Sequence, residues 1–302
     1  MRSVSTVGEV GLIDRIRRRI TPDRSVIMGI GDDAAVLARP HAGQLLFASD
    51  MLVEGVHFSR RRTPPQAIGW KALACNISDI AAMGGMPRWA VVSLGLPAAT
   101  SVQFVDRLYD GLRRCARQYK VAVVGGDTAR APQIVVDVAI VGTVTSGRVV
   151  LRRGACVGDQ LFVTGRLGGS LRSGRHATFR PRLRESQELA RRVPIHAMMD
   201  LSDGLASDAW QMSRASRVVL RIEPSCLPLS RDARTADEAL QDGEDFELLF
   251  AVGPDAASRV PRRIGACPVT RIGSVVGRGV RVEIVGPDGT ITRLQPTGFH
   301  HF

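Results

Sequence analysis

Apolar and polar residues follow two periods along this chain. Leu45–Ala48 is a short apolar run that stops at Ser49-Asp50. Over 66–84, Ala67, Ile68, Ala72, Leu73, Ile77 and Ile80 recur at helical spacing and predict a helix with one apolar side. Trp89–Leu96 reads as a strand ended by Pro97. Residues 101–119 read as an amphipathic helix with Phe104, Val105, Leu108, Leu112 and Cys115 inward. Val121–Val124 is a buried-strand pattern ending at Gly125-Gly126-Asp127, and Ile134–Val144 is a long β-branched run. Near the start, Leu12, Ile13, Ile16 and Ile20 share one face of a helix that also carries the arginines of 15–19.

Around residue 147 the pattern changes. Gly147, Gly154, Gly158 and Gly165 punctuate the chain, and a strand restarts over Val157–Thr164. Residues 172–193 are arginine-rich and partly helical. Met198-Met199-Asp200 leads into a helix from about Asp203, while Val218–Ile222 and Phe246–Val252 read as strands. Val280–Val285 followed by Gly286-Pro287-Asp288-Gly289 predicts a hairpin. Strands and helices in both halves predict a two-domain α/β protein with mixed, α+β-like sheets, divided as 1–147 and 148–302.

Composition narrows the chemistry. The chain has 302 residues, 44% of them hydrophobic, and a net charge of +12. Lys71 and Lys120 are its two lysines, so almost all of its basic charge is arginine. Neither lysine follows a glycine, which excludes a Walker A loop. Phosphate chemistry must therefore rest on metal ions, backbone amides or arginine. The basic residues are scattered and aromatics make up 5%, which argues against a nucleic-acid partner. Five cysteines without a CxxC argue for free thiols in a reducing compartment, against both a disulfide frame and a zinc site. No signal peptide or membrane-spanning run is evident, so the cytoplasm is expected.

The acids are the informative feature. Gly31-Asp32-Asp33, Ser49-Asp50, Ser78-Asp79, Gly126-Asp127 and Asp200-Leu201-Ser202-Asp203 place aspartates beside small residues, at what read as strand ends and strand-to-helix turns. Asp79 differs: it lies inside a predicted helix between Ile77 and Ile80 and needs a partner there. One such aspartate is ordinarily a turn former or helix cap. Together they suggest an oxygen-ligand site for a hard cation, Mg²⁺ in the first place, and nucleotide phosphoryl transfer. Gly29-Ile30-Gly31 begins like a dinucleotide fingerprint, but Ala34 and the two aspartates break it. Gly165–Gly169 could cradle phosphate or be a plain turn. No Ser-His-Asp order is supported, and His57 is read first as a packed, hydrogen-bonded histidine.

GIGDDAAV (29–36), SDMLVEGVHF (49–58), WKALACNISDIAAMGGMPRW (70–89), VVGGDTAR (123–130), LRRGACVGD (151–159), MDLSDGLASD (199–208) and GEDFELLF (243–250) occur in this order. With them the chain resembles the thiamine-monophosphate kinase family, in the superfamily that includes aminoimidazole ribonucleotide synthetase and selenophosphate synthetase. The resemblance implies a two-domain fold like that of aminoimidazole ribonucleotide synthetase. Its N-terminal domains would pair into a dimeric β-barrel, giving a homodimer, and ligands would lie in a cleft lined by both domains. The implied reaction turns ATP and thiamine monophosphate into ADP and thiamine diphosphate with several Mg²⁺ ions and no general base. Implied metal ligands are Asp33, Ser49, Asp50, Asp79, Asp127, Asp200 and Asp203. ATP contacts would come from Gly126, Asp127, Arg152 and Ser202, and thiamine contacts from His57, Glu244 and Phe299.

Departures from the family pattern fall mainly on the acceptor side. Ala48 stands where a hydroxyl is usual. Gly169 replaces an acid, Asp242 replaces a glycine, 170–198 is short and arginine-rich, and Phe299 has no hydrogen-bonding handle. A paralogue that phosphorylates or activates another small acceptor is the alternative, followed by a non-catalytic nucleotide-binding protein.

Overall fold

The computed structural model describes residues 15–21, 23–28, 36–37, 44–145 and 147–299. The chain divides into two compact units. One runs to Ile80 and includes Gly85–Gly147; the other comprises Ala81–Gly84 and the chain from Arg148 onward.

In the first unit, β1 (Val26–Met28) and β2 (Val36–Leu37) form an antiparallel pair. The main sheet holds β3 (Gln44–Val53), β4 (Met86–Leu96), β5 (Ala122–Arg130) and β6 (Val135–Val144), in the order β3-β6-β4-β5. Helix α1 (Pro65–Ala82) connects β3 to β4, and α2 (Val102–Tyr119) makes the crossover between the parallel strands β4 and β5. Strand alternation divides the sheet into two faces. Val136, Val138 and Ile140 of β6 are fully buried on one face, where Ile80 of α1 approaches Gly142. Leu45, Phe47, Met51 and Val91 are exposed on the other.

The amphipathic reading of α1 needs correction. Residues 67–78 are buried on every side, Lys71 and Asn76 included. The cause is the close crossing of α1 and α2. A Cβ on Gly69 would come within 1.9 Å of the Leu108 carbonyl oxygen, and one on Gly111 within 1.8 Å of that of Gln66. Two helix backbones touch at paired glycines, so no solvent face remains for α1. Strands β3 and β5 also outrun their apolar runs. Antiparallel pairing with β6 carries β3 from Gln44 through Val53, and parallel pairing with β4 carries β5 to Arg130. Asp50 and Asp127 therefore lie inside strands, and the reading that placed them at strand ends is corrected.

The second unit is a mixed sheet of β7 (Gln160–Thr164), β8 (Ile195–Asp200), β9 (Val218–Ile222), β10 (Leu248–Val252), β11 (Arg263–Ile264), β12 (Cys267–Arg278), β13 (Arg281–Val285) and β14 (Ile291–Leu294). The order is β14-β13-β9-β12-β7-β10-β8, with β11 beside β12. Both faces of its central strands are buried. Leu161, Val163, Met199 and Leu249 join Leu205, Ala209 and Met212 of α4 (Leu205–Ser216) in one core. Phe162, Met198, Leu248 and Phe250 join Leu189 of α3 (Leu183–Arg192) in another. This three-layer arrangement explains the near-continuous apolar runs.

Two sequence expectations fail here for local reasons. Phe246 has φ 51°, left-handed backbone that cannot continue a strand, so β10 begins at Leu248. Strand β12, twelve residues long, was not foreseen. Register shifts at Arg271/Gly273 and Val275/Gly277 break the period of two that would have revealed it. Among the described residues, no helix is long and apolar enough to cross a membrane.

Candidate active site

In the first unit, sheet register decides where the acids point. Asp33 lies outside the described residues. Ser49 and Asp50 are neighbours in β3 and therefore face opposite ways. The Ser49 hydroxyl donates to Asp137 Oδ1 at 3.0 Å on the exposed face. Asp50 shares the opposite face with Leu46 and Leu52 and is half-buried. The side chains of these two expected ligands are thus separated by the sheet itself. Asp127 is opposite Ser93, which is opposite Asp137, so these three residues form a row on the exposed face. Two strand spacings put Asp127 about 10 Å from Asp137. Asp137 was not foreseen; a lone aspartate inside the β-branched run of β6 was its one signal.

Gly126 has a packing reason to be glycine: a Cβ there would approach the Val92 carbonyl oxygen to 1.9 Å. Asp79 is half-buried in α1 beside the buried Ser78. His57 is half-buried in the turn after β3, and its Nδ1 accepts the Val53 N–H at 3.0 Å. That bond keeps Nδ1 unprotonated, in line with the packed-histidine reading. Lys71 Nζ donates to the His57 carbonyl at 2.9 Å, so this lysine supports the turn from within the core.

The second unit gathers its candidates on one loop system. Asp200 ends β8 and is buried, and Ser202 and Asp203 follow in the turn before α4. The Asp203 N–H donates to Asp208 Oδ2 at 3.1 Å. Asp208 lies in the first turn of α4 and is 1% exposed. Burial, then the charges of Asp203 and Asp200, hold its carboxyl well above the usual carboxylate range; the Asp203 N–H and Arg152 pull the other way. Asp208 was not singled out from sequence, although it sits in the same acidic segment, five residues after Asp203.

The neighbouring backbone is strained around these acids. Glu244 and Phe246 both adopt left-handed conformations, at φ 63° and 51°. The Glu244 N–H donates to the Ser202 carbonyl at 2.7 Å, and that of Phe246 to the Leu201 carbonyl at 2.8 Å. Glu244 Oε2 lies 3.0 Å from His176 Nδ1. Phe246 stacks on Phe179 with ring centroids 3.9 Å apart. The Phe299 N–H donates to the Asp203 carbonyl at 3.1 Å, which brings the C-terminal segment onto this turn. Asp200, Ser202, Asp203, Glu244 and Phe299 thus share one loop system, and Arg152 lies within electrostatic reach of Asp208.

The glycine-rich turn is not an open phosphate cradle. Gly168 N–H donates to Asp245 Oδ2 and Gly169 N–H to Asp242 Oδ2, both at 2.7 Å. Two departures from the family pattern, Gly169 and Asp242, are therefore partners. Asp245 also accepts from Arg175 at 2.7 Å. Burial nevertheless pushes its carboxyl up to about 7, against the pull of the Gly168 N–H and Arg175.

A cluster of oxygen donors, sequestered with a carboxyl that resists ionising alone, suits a hard divalent cation. Comparison with known proteins defines the class. Residues 31–144 match the family model of the AIR synthase related protein N-terminal domain, and 158–285 that of the C-terminal domain. Thiamine-monophosphate kinase of Synechococcus elongatus is 37% identical, over 100% of this chain and 98% of that protein. The enzyme of Rhodopirellula baltica is 38% identical, over 97% of each. The chain belongs to the thiamine-monophosphate kinase family. Among solved structures, AaThiL complexed with AMPPCP and TMP superposes with a TM-score of 0.76 at 34% identity, covering 100% of this chain and 99% of that one. Escherichia coli HypE, a hydrogenase maturation protein, reaches a TM-score of 0.82 at 21% identity over 95% of this chain and 98% of that one, a likeness of fold alone.

Proposed function

We propose that this protein transfers the γ-phosphoryl group of ATP to thiamine monophosphate, forming ADP and thiamine diphosphate. The observation that carries this reading is full-length kinship with thiamine-monophosphate kinases, including the structure named for its complex with AMPPCP and TMP. The acceptor is a phosphate monoester, anionic at neutral pH. It already has an oxygen nucleophile and needs alignment and charge neutralisation, not a strong base. The absence of a Walker lysine and of a Ser-His-Asp constellation fits that demand.

The acids fit Mg²⁺. Asp200, Asp203 and Asp208 offer only oxygen, and a cation beside them would offset the repulsion among their carboxylates. Asp33, Asp50, Asp79 and Asp127 are assigned Mg²⁺-binding roles in the first unit; Ser49 and Asp127 face away from Asp50 and would serve a separate position on the exposed face. Bound Mg²⁺ would neutralise phosphate charge. Arg152 offers a planar, paired donor to ATP phosphate in place of lysine, and Gly126 and Ser202 are assigned to ATP as well. Glu244, held by His176, Phe299, docked on Asp203, and His57 are assigned to the thiamine moiety. Leu45 and Phe47, at the end of the exposed sheet face away from the Asp127 row, support a homodimer through the first unit. The cytoplasm suits such an enzyme.

Two measurements test this reading. Coupled ADP release should require both Mg²⁺ and thiamine monophosphate and should yield thiamine diphosphate in equal amount. Free inorganic phosphate as the product, or turnover with a different acceptor only, rejects the assignment. Phe47→Glu should convert a dimer to a monomer in sedimentation velocity; an unchanged mass rejects the proposed interface.

A further inference from the structure

A second cluster of ligating side chains lies in the second unit, made from residues with no place in the oxygen site. Cys156, Asp159 and His196 each offer one ligand atom, and these atoms all lie within 4.8 Å of one another. His196 Nδ1 is 3.0 Å from both carboxylate oxygens of Asp159. Asp159 is 1% exposed, whereas Cys156 is exposed to solvent.

The backbone is shaped to converge these groups. Residues 156–159 close a turn: the Cys156 N–H donates to Asp159 Oδ2 at 2.8 Å and the Asp159 N–H to the Cys156 carbonyl at 3.0 Å. Gly158, at φ 98°, allows the turn. His196 is the extra residue of a bulge. Ala251 pairs with Ala197 and Val252 with Ile195, so His196 has no counterpart on β10 and its side chain is re-aimed. Two glycines leave room for it. A Cβ on Gly253 would lie 3.0 Å from His196 Cε1, and one on Gly154 would lie 2.3 Å from the His196 carbonyl oxygen.

We propose that Cys156, Asp159 and His196 bind one borderline-soft divalent cation of the zinc class, with solvent completing its coordination. A thiolate, an imidazole and a carboxylate select such an ion over Mg²⁺. Zinc bonds to nitrogen and oxygen of about 2.0–2.2 Å give a tetrahedral edge of roughly 3.4 Å, so the N–O pair needs to open by only a few tenths of an ångström. The buried carboxylate anchors the site, and the exposed thiol and imidazole admit the ion from solvent. Cysteine spacing could not reveal it, because the ligands come from a turn and from a bulged strand 37 residues further on.

The test uses metal-free full-length protein in excess Mg²⁺, titrated with Co²⁺ and then Zn²⁺. One equivalent of Co²⁺ should bind with a thiolate-to-cobalt charge-transfer band, which Zn²⁺ abolishes. Cys156→Ser should remove the band, and His196→Gln should weaken Co²⁺ binding by at least about tenfold. Cys226→Ser should leave both unchanged. These are mild changes at solvent-accessible positions, and circular dichroism checks their folding. The proposal is overturned if the wild-type protein shows no such band, if the band survives Cys156→Ser, or if His196→Gln binds as tightly as wild type. Any of these leaves His196 and Asp159 as a hydrogen-bonded clamp on the turn.

Discussion

The two units carry acids in opposite ways. In the first, Asp50, Asp79 and Asp127 stand on regular strand and helix, half-buried or exposed. In the second, Asp200, Asp203 and Asp208 crowd a turn and a helix start, beside left-handed Glu244 and Phe246. Regular backbone places a side chain by register, with no strain but with one face per residue. Irregular backbone lets several acids converge, at the cost of strain and mutual repulsion that a cation relieves.

The largest effects should come from the acids themselves. Asp200→Asn and Asp79→Asn should each lower Mg²⁺-supported ADP release by on the order of 10²–10³, the usual loss for a charge-stabilising group. Asp288→Asn, in the exposed β13–β14 turn, should leave turnover intact. If Asp79→Asn behaves like Asp288→Asn, the regular acids of the first unit are structural and the comparison changes meaning. Gly111→Ala probes the first unit's rigidity. It drives a methyl into the Gln66 carbonyl and should cost about 3 kcal/mol, the upper end of overpacking, in chemical denaturation.

Stability against pH sharpens the contrast further. The raised Asp208 carboxyl binds its proton more tightly folded than unfolded. Without Mg²⁺, its contribution to stability is full below the ordinary carboxylate pKa of about 4 and is lost as pH rises toward its folded value. Asp245 adds a second such loss, ending at about 7. Thermal stability without Mg²⁺ should therefore fall as pH rises across that window, and Asp208→Asn should flatten part of the slope. An identical slope in the variant would mean that Asp208 ionises freely. Asp242→Ala is the smallest change: losing its bond to the Gly169 N–H should cost about 1 kcal/mol with little effect on turnover.

Much of the architecture was legible because periodicity is local. The β-branched run of β6 and the helical spacing of α2 each report their own environment. What escaped was set by distant partners. Strand β12 was hidden by two bulges, and α1 seemed one-sided because its crossing partner at Gly111 lies about forty residues away. The acidic segments were recognisable from their motifs. The opposite orientation of Ser49 and Asp50 follows from alternation, but the identity of the faces does not. Asp137 and Asp208 become visible as site neighbours only once Ser49 and Asp203 are seen to bond them.

The amino-acid sequence by itself determined the chemical vocabulary: oxygen-rich acids at motif positions, arginine instead of a Walker lysine, and enough β-branched and aliphatic residues for two buried sheets. Tertiary structure decided which of those groups meet. It set Ser49 against Asp137, paired Gly169 with Asp242, pressed Asp208 close to Asp203, and turned His196 out of register toward Asp159. Composition and period act over a few residues, whereas register, bulges and helix crossings are fixed by contacts between segments tens of residues apart.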